Sequence, residues 1–208
     1  MDGSSKPATN CALRADGLAC RRGDRLLFRR LSFALQSGDA LHLTGANGTG
    51  KTTLIRALAG LTTPFAGEVH CEGAVGLLDE RPALDPDLPL GKALGFWQRV
   101  DGSDGEAASH AALGLVPLLE VPVRYLSTGQ RKRAGLSALI ERRVPIWLLD
   151  EPLSGLDVAA IAQVTRMIAE HVAGGGIALI ASHQAVEIAG LKTLELSEFA
   201  PRYEDEDA

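Results

Sequence analysis

Gly45-Ala46-Asn47-Gly48-Thr49-Gly50-Lys51-Thr52, followed by Thr53, is the stretch that decides the fold of this chain. It fits G-x-x-x-x-G-K-[ST], the phosphate-binding P-loop. Ala40-Leu41-His42-Leu43-Thr44 reads as a strand before it, and Thr52–Ala59 reads as a helix after it. A glycine-rich turn matching by chance would lack that frame. Glycines 45, 48 and 50 let the backbone curl with its N–H groups inward, and with the helix N-terminus they form an anion nest. Lys51 adds a point charge for β- and γ-phosphates, and the Thr52 hydroxyl can ligate Mg2+. The loop predicts a bound nucleoside triphosphate.

About one hundred residues later, Ile146-Trp147-Leu148-Leu149 is an apolar strand ending in Asp150-Glu151. In a P-loop protein the ligand side lies at the carboxyl ends of the strands. Asp150 is then placed to hold Mg2+ through water, and Glu151 stands where a general base would meet the attacking water. Capping of the next helix is the plainer role for two such acids. His183 follows the strand Ile177–Ala181 by two residues. It can donate to a γ-phosphate and orient Glu151 and its water. Leu126-Ser127-Thr128-Gly129-Gln130 opens another helix, whose serine and glycine can present free N–H donors to an anion. The phosphates are already served by residues 45–52, so a second anion-binding helix end points to the nucleotide of a second subunit.

The surroundings set limits. The chain has 208 residues, 46% hydrophobic, which suits one globular core. Net charge is −5 with no long basic run, so bulk electrostatics suggest no nucleic-acid partner. Cys11, Cys20 and Cys71 have no metal-ligand spacing and read as reduced thiols. Residues 1–9 lack the apolar core of a signal peptide, and no run nears the about 20 apolar residues needed to span a bilayer. A membrane location would need a partner.

Leu13–Cys20 and Leu26–Leu35 alternate like antiparallel strands about Gly23-Asp24, and Gly67–Cys71 reads as a further strand. Prolines 82, 86, 89, 117 and 122 punctuate short helical runs, Leu90–Val100 and Glu106–Leu113, with a loop over 101–105. Ser127–Arg143 and Val158–Ala173 read as helices around the buried strands at 146–149 and 177–181. The expected architecture is α/β: a mostly parallel sheet flanked by helices, an N-terminal antiparallel β subdomain, and a small helical insert at about 82–140. It forms a single domain over 12–200, with a disordered N-terminus (1–11) and an acidic tail (201–208).

Taken in order, Gly45–Thr52, Leu126–Gln130, Ile146–Glu151, Ser154-Gly155-Leu156-Asp157 and His183 resemble the motif set of ABC-type ATPases. The resemblance spans about residues 12–190. A finer likeness to the haem-exporter ATP-binding subunits of cytochrome c maturation lies in Leu18–Gly23, Leu27–Phe33 and Leu54–Leu61 running on to Pro64 and Gly67. The resemblance implies two ATPase subunits sandwiching two ATP molecules. Ser127, Gly129 and Gln130 would touch ATP held by the other copy, and Asp157 would lie at the seam. It also implies an integral membrane partner at the cytoplasmic face of the inner membrane, and an indirect link to haem or a haem chaperone.

Two positions depart from the family pattern. The aromatic that stacks on adenine is replaced by Arg22, which either stacks through its guanidinium or stays solvated. The glutamine expected after Gly73–Leu78 is missing. Asp79-Glu80-Arg81-Pro82 stands there, which bears on coupling more than on nucleotide binding. Other readings are an exporter of another cargo, a soluble non-transport ABC protein, or a nucleotide-controlled switch with little turnover. The soluble reading lacks the usual second ATPase unit, coiled-coil arm or basic linker.

Overall fold

The computed structural model describes residues 11–79, 82–101 and 107–201. The expected disordered start, the acidic tail after Pro201, the loop beyond Asp101 and the Glu80-Arg81 pair lie outside the described residues.

Strand β1 (Ala12–Arg22) folds back on β2 (Arg25–Gln36). Arg22 pairs with Arg25 across the two-residue turn Gly23-Asp24. Gly23 sits at φ +60°, the left-handed geometry that tight hairpins need. The sequence signals ended β1 two residues short, at Cys20, and β2 one residue short, at Leu35; register shifts between Ala15 and Arg21 break the period of two in β1. β1 is the centre of a three-stranded antiparallel sheet in the order β2-β1-β4, where β4 is Ala66–Glu72. Gly67 is required there, since a Cβ would lie 2.5 Å from the Asp16 carbonyl oxygen.

The second sheet contains β3 (Ala40–Thr44), β5 (Val75–Leu78), β6 (Ile146–Asp150), β7 (Ile177–Ala181) and β8 (Lys192–Glu195), all paired in parallel in the order β5-β6-β7-β3-β8. Every residue of β6 and β7 is buried, as both faces of a parallel sheet must be. Ile146, Leu148, Ile177 and Leu179 face helix α1 (Lys51–Leu58) and the antiparallel layer through Leu13, Phe28 and Leu31. Trp147, Leu149 and Ile180 face the helices on the other side. Truncating one such buried leucine to alanine costs about 2–5 kcal/mol.

Those helices include α2 (Leu90–Asp101), α3 (Ala107–Ala112), α4 (Thr128–Glu141) and α5 (Val158–Ala173). α2, α3 and α4 share one buried carboxylate. Glu141 accepts from Ser109 Oγ (2.5 Å), Ser137 Oγ (3.2 Å) and Gln98 Nε2 (2.9 Å), with His110 Nε2 at 3.0 Å. A buried carboxylate survives only when paired in this way. Among the described residues, no helix is long and apolar enough to cross a membrane.

Near the end of α5, the His171 ring stacks on Trp147 at 3.8 Å and 8°. Gly176 makes room for it, since a Cβ there would collide with the imidazole. Burial holds the His171 pKa below its usual value, and the carbonyls of Ile177 and Pro145 only partly oppose this. The unfolded chain therefore binds a proton near pH 6.5 that the native state refuses. Stability from this site is complete above that pH and is lost as pH falls toward the depressed value. His171→Phe keeps the stacking and removes the titration. Denaturant midpoints at about pH 7.5 and about 5.5 should show a smaller acid loss for the variant than for wild type; equal losses would exonerate His171.

Candidate functional site

Strands β6, β7 and β3 lie side by side, so the chain segments leaving their carboxyl ends meet at one edge. There they border a cleft of about 310 Å³. The P-loop joins β3 to α1. Gly48 and Gly50 adopt φ of +81° and +111°, backbone that L side chains avoid. Lys51, only 7% exposed, donates from Nζ to the carbonyls of Gly45 (2.6 Å) and Ala46 (3.2 Å). Thr49 Oγ1 also donates to Ala46 (2.9 Å). Gly45, Ala46 and Thr49 therefore shape the loop, whereas Asn47, Gly48, Gly50, Lys51, Thr52 and Thr53 line the cleft.

Asp150 ends β6, is 3% exposed, and accepts a hydrogen bond from the Thr52 hydroxyl. Its pKa is raised first by burial and then by the charges of Asp79 and Glu151, against the pull of Thr52 and Lys132. A hydroxyl beside a buried carboxylate that two further acids press upon suits a divalent cation. Among the described residues, no set of three His, Cys, Asp or Glu side chains could hold a metal alone. A cation here would draw its remaining oxygens from phosphate and water, as Mg2+ does.

Glu151 carries φ +48°, a left-handed backbone rarely adopted outside glycine, and its N–H donates to Ala181 O at 2.8 Å. Such strain costs about 1–3 kcal/mol and clusters at functional sites. It places the partly buried carboxylate on the cleft, 3.6 Å from His183 Nε2. The same nitrogen lies 2.6 Å from Asn47 Oδ1 and 3.2 Å from Lys51 Nζ. His183 thus bridges the P-loop and the candidate base.

The opposite wall comes from α4. Its N-cap Ser127 forms a capping box: Ser127 Oγ accepts the Gln130 N–H (3.2 Å), and Gln130 Oε1 accepts the Ser127 N–H (2.8 Å). This corrects the expectation of a free donor at Ser127. The tip donors without intrahelical acceptors are the N–H groups of Thr128 and Gly129. Thr128 lines the cleft, while Ser127, Gly129 and Gln130 do not. Gly129 packs so closely on Gly155 that a Cβ would strike the Gly155 carbonyl. Asp157 caps α5, accepting the Ala160 N–H at 2.8 Å. Arg22 and Leu27 also form part of the wall, Leu27 beside Gly50 of the P-loop.

Sequence reasoning missed Lys132. It is 2% exposed, lines the cleft, and donates to the carbonyls of Asp150 (2.8 Å) and Asp79 (3.3 Å). The signal was present: Lys132 lies three residues after Gly129 and four before Leu136, on the buried face of α4. Asp79, where the family glutamine was expected, pairs with Arg56 at 2.9 Å.

Comparison with known proteins agrees with this geometry. The ABC transporter family model matches residues 28–154. The chain is 52% identical to the cytochrome c biogenesis ATP-binding export protein CcmA of Novosphingobium aromaticivorans, over 92% of this chain and 98% of that one. It is 41% identical to CcmA of Rhizobium meliloti, over 90% and 98%. Among solved structures, an ABC transporter ATP-binding protein from Pyrococcus furiosus superposes with a TM-score of 0.77 at 21% identity, over 91% of this chain and 100% of that one. The fold, the cleft and 41–52% identity over nearly the full length of both chains lead to one conclusion: the chain belongs to the ABC transporter family, among the CcmA-type cytochrome c biogenesis ATP-binding export proteins.

Proposed function

We propose that this chain is the ATP-hydrolysing subunit of a membrane ABC complex in c-type cytochrome biogenesis, coupling hydrolysis to haem export or to release of a haem chaperone. The observation that carries the reading is identity to CcmA proteins across nearly the whole of both chains, joined to a cleft that gathers Lys51, Thr52, Asp150, Glu151 and His183. The complex would sit at the cytoplasmic face of the inner membrane, with this chain bound to an integral membrane subunit and paired with a second copy of itself.

The P-loop N–H groups and Lys51 hold the phosphates of ATP. Thr52 and Asp150 would hold Mg2+, which neutralises charge on the phosphate oxygens when bound. Glu151 takes a proton from the water that attacks the γ-phosphorus, and the P–O bond to ADP breaks. His183 positions Glu151 and reports the γ-phosphate to the loop through Asn47. The tip of α4, with Thr128 and Gly129 as donors and Ser127 and Gln130 locking its geometry, closes over ATP on the second copy. Asp157 lies at the seam. Arg22 meets adenine.

Captured from native membranes, the chain should bring an integral membrane protein and show steady ATP turnover. Glu151→Gln should keep ATP binding, lower turnover by about 10²–10⁴-fold and accumulate a closed pair. Undiminished turnover by that variant would remove Glu151 from its role, and recovery of ribosomes without a membrane protein would favour the non-transport reading. Lys132→Met should leave two buried carbonyls short of a donor. Denaturation is expected to show a loss of about 1–3 kcal/mol, with kcat falling more than nucleotide affinity; an unchanged kcat would make Lys132 purely structural.

A further inference from the structure

The cleft offers a nucleobase no aromatic surface. Arg22 and Leu27 line it, and among the described residues no Phe, Tyr or Trp does. The most exposed large aromatic among the described residues stands elsewhere. Tyr125 is 69% exposed, two residues before the N-cap of α4. Its neighbours force it outward: Val123 and Leu126 are both buried, and a 3-10 turn over Val123–Tyr125 fixes the backbone between them. The Tyr125 N–H donates to Pro122 O (2.9 Å) and the Leu126 N–H to Val123 O (3.1 Å). The ring is braced as well. The Arg124 guanidinium lies 5.0 Å from its centroid, and Arg124 is pinned to Asp87 at 2.6 Å. An aromatic held out rigidly loses little freedom on stacking, which is what a binding platform needs.

We propose that Tyr125 reaches across the ATPase pair and stacks on the nucleobase of the nucleotide whose phosphates the other copy holds, opposite that copy's Arg22. This rests on the paired reading given above. When the α4 tip meets phosphates across the pair, a residue two positions before the N-cap lies within about 10 Å of chain from Thr128. That is the scale on which ribose and base extend from the triphosphate. The base is then held by a guanidinium from the chain that cradles its phosphates and by a phenol ring from the chain that closes the site. Closure is thereby made sensitive to the base as well as to the phosphates.

The test uses the full chain carrying Glu151→Gln, alone and combined with Tyr125→Ala or Tyr125→Phe. The ATP concentration giving half-maximal pairing is read by analytical ultracentrifugation, and ADP binding to the dilute single chain by calorimetry. Tyr125→Ala should raise the ATP requirement by about 5- to 100-fold, the scale of one lost base stack, and Tyr125→Phe should restore it. ADP affinity of the single chain should be the same in all three. The fluorescence of 2-aminopurine riboside triphosphate should be quenched on pairing with Tyr125 present and much less with alanine. Pairing of the alanine variant at the parental ATP concentration, or an equal loss of ADP affinity in the single chain, overturns the proposal and leaves the paired reading standing. Failure of the Glu151→Gln chain to pair with ATP overturns both.

Discussion

The parallel adjacency of β3, β7 and β6 is the constraint from which the site follows. The ladder pairs Leu43 with Ala181 and Asp150 with the same residue, so β7 holds its two neighbours in register. That register delivers the Glu151 N–H to the Ala181 carbonyl and the loop after β7 to Asn47. Residues far apart in the chain meet around His183, whose Nε2 lies 3.2 Å from Lys51 Nζ and 3.6 Å from the Glu151 carboxylate, without any of them choosing its own position. A one-residue slip would turn each strand's core set to the other face, and the burial of both faces of β6 and β7 forbids it.

Electrostatics complete what register begins. Asp79 and Glu151 press negative charge on Asp150 at the carboxyl ends of β5 and β6, while Lys51 and Lys132 bring positive charge from two helices. Lys132 also ties structure to chemistry, because its ammonium joins α4 to the ends of both β5 and β6. A displacement of α4 is therefore felt at Asp150. The loss of the family glutamine looks different in this light: Asp79 is paired with Arg56 and linked to α4 through its carbonyl, so the segment keeps a physical connection to the cleft.

Much of this was legible in the sequence, and the gaps have causes. The loop from Gly45 to Thr52, the strand at Ile146 and the helix Val158–Ala173 announce themselves by glycine chemistry, a continuous apolar run and helical patterning. β8 was missed because Lys192-Thr193-Leu194-Glu195 is a short, polar edge strand that exists only through pairing with β3. Glu141 and Lys132 drew no functional reading, because charges inside a helical run carry no sign of burial in the sequence. Their partners, Ser109, Gln98 and the strand-end carbonyls, are set by tertiary packing. Ser127 was credited with a free N–H because a helix start alone does not reveal that Gln130 will claim it.

The central claim is that one copy's P-loop and another copy's α4 tip share a single triphosphate. A high-resolution structure of the Glu151→Gln chain with its membrane partner, magnesium and ATP tests it most directly. The account predicts the γ-phosphate between Lys51 of one copy and the N–H groups of Thr128 and Gly129 of the other, at both sites of the pair. Helix tips turned to solvent, with ATP bound and no second copy across it, would contradict the account.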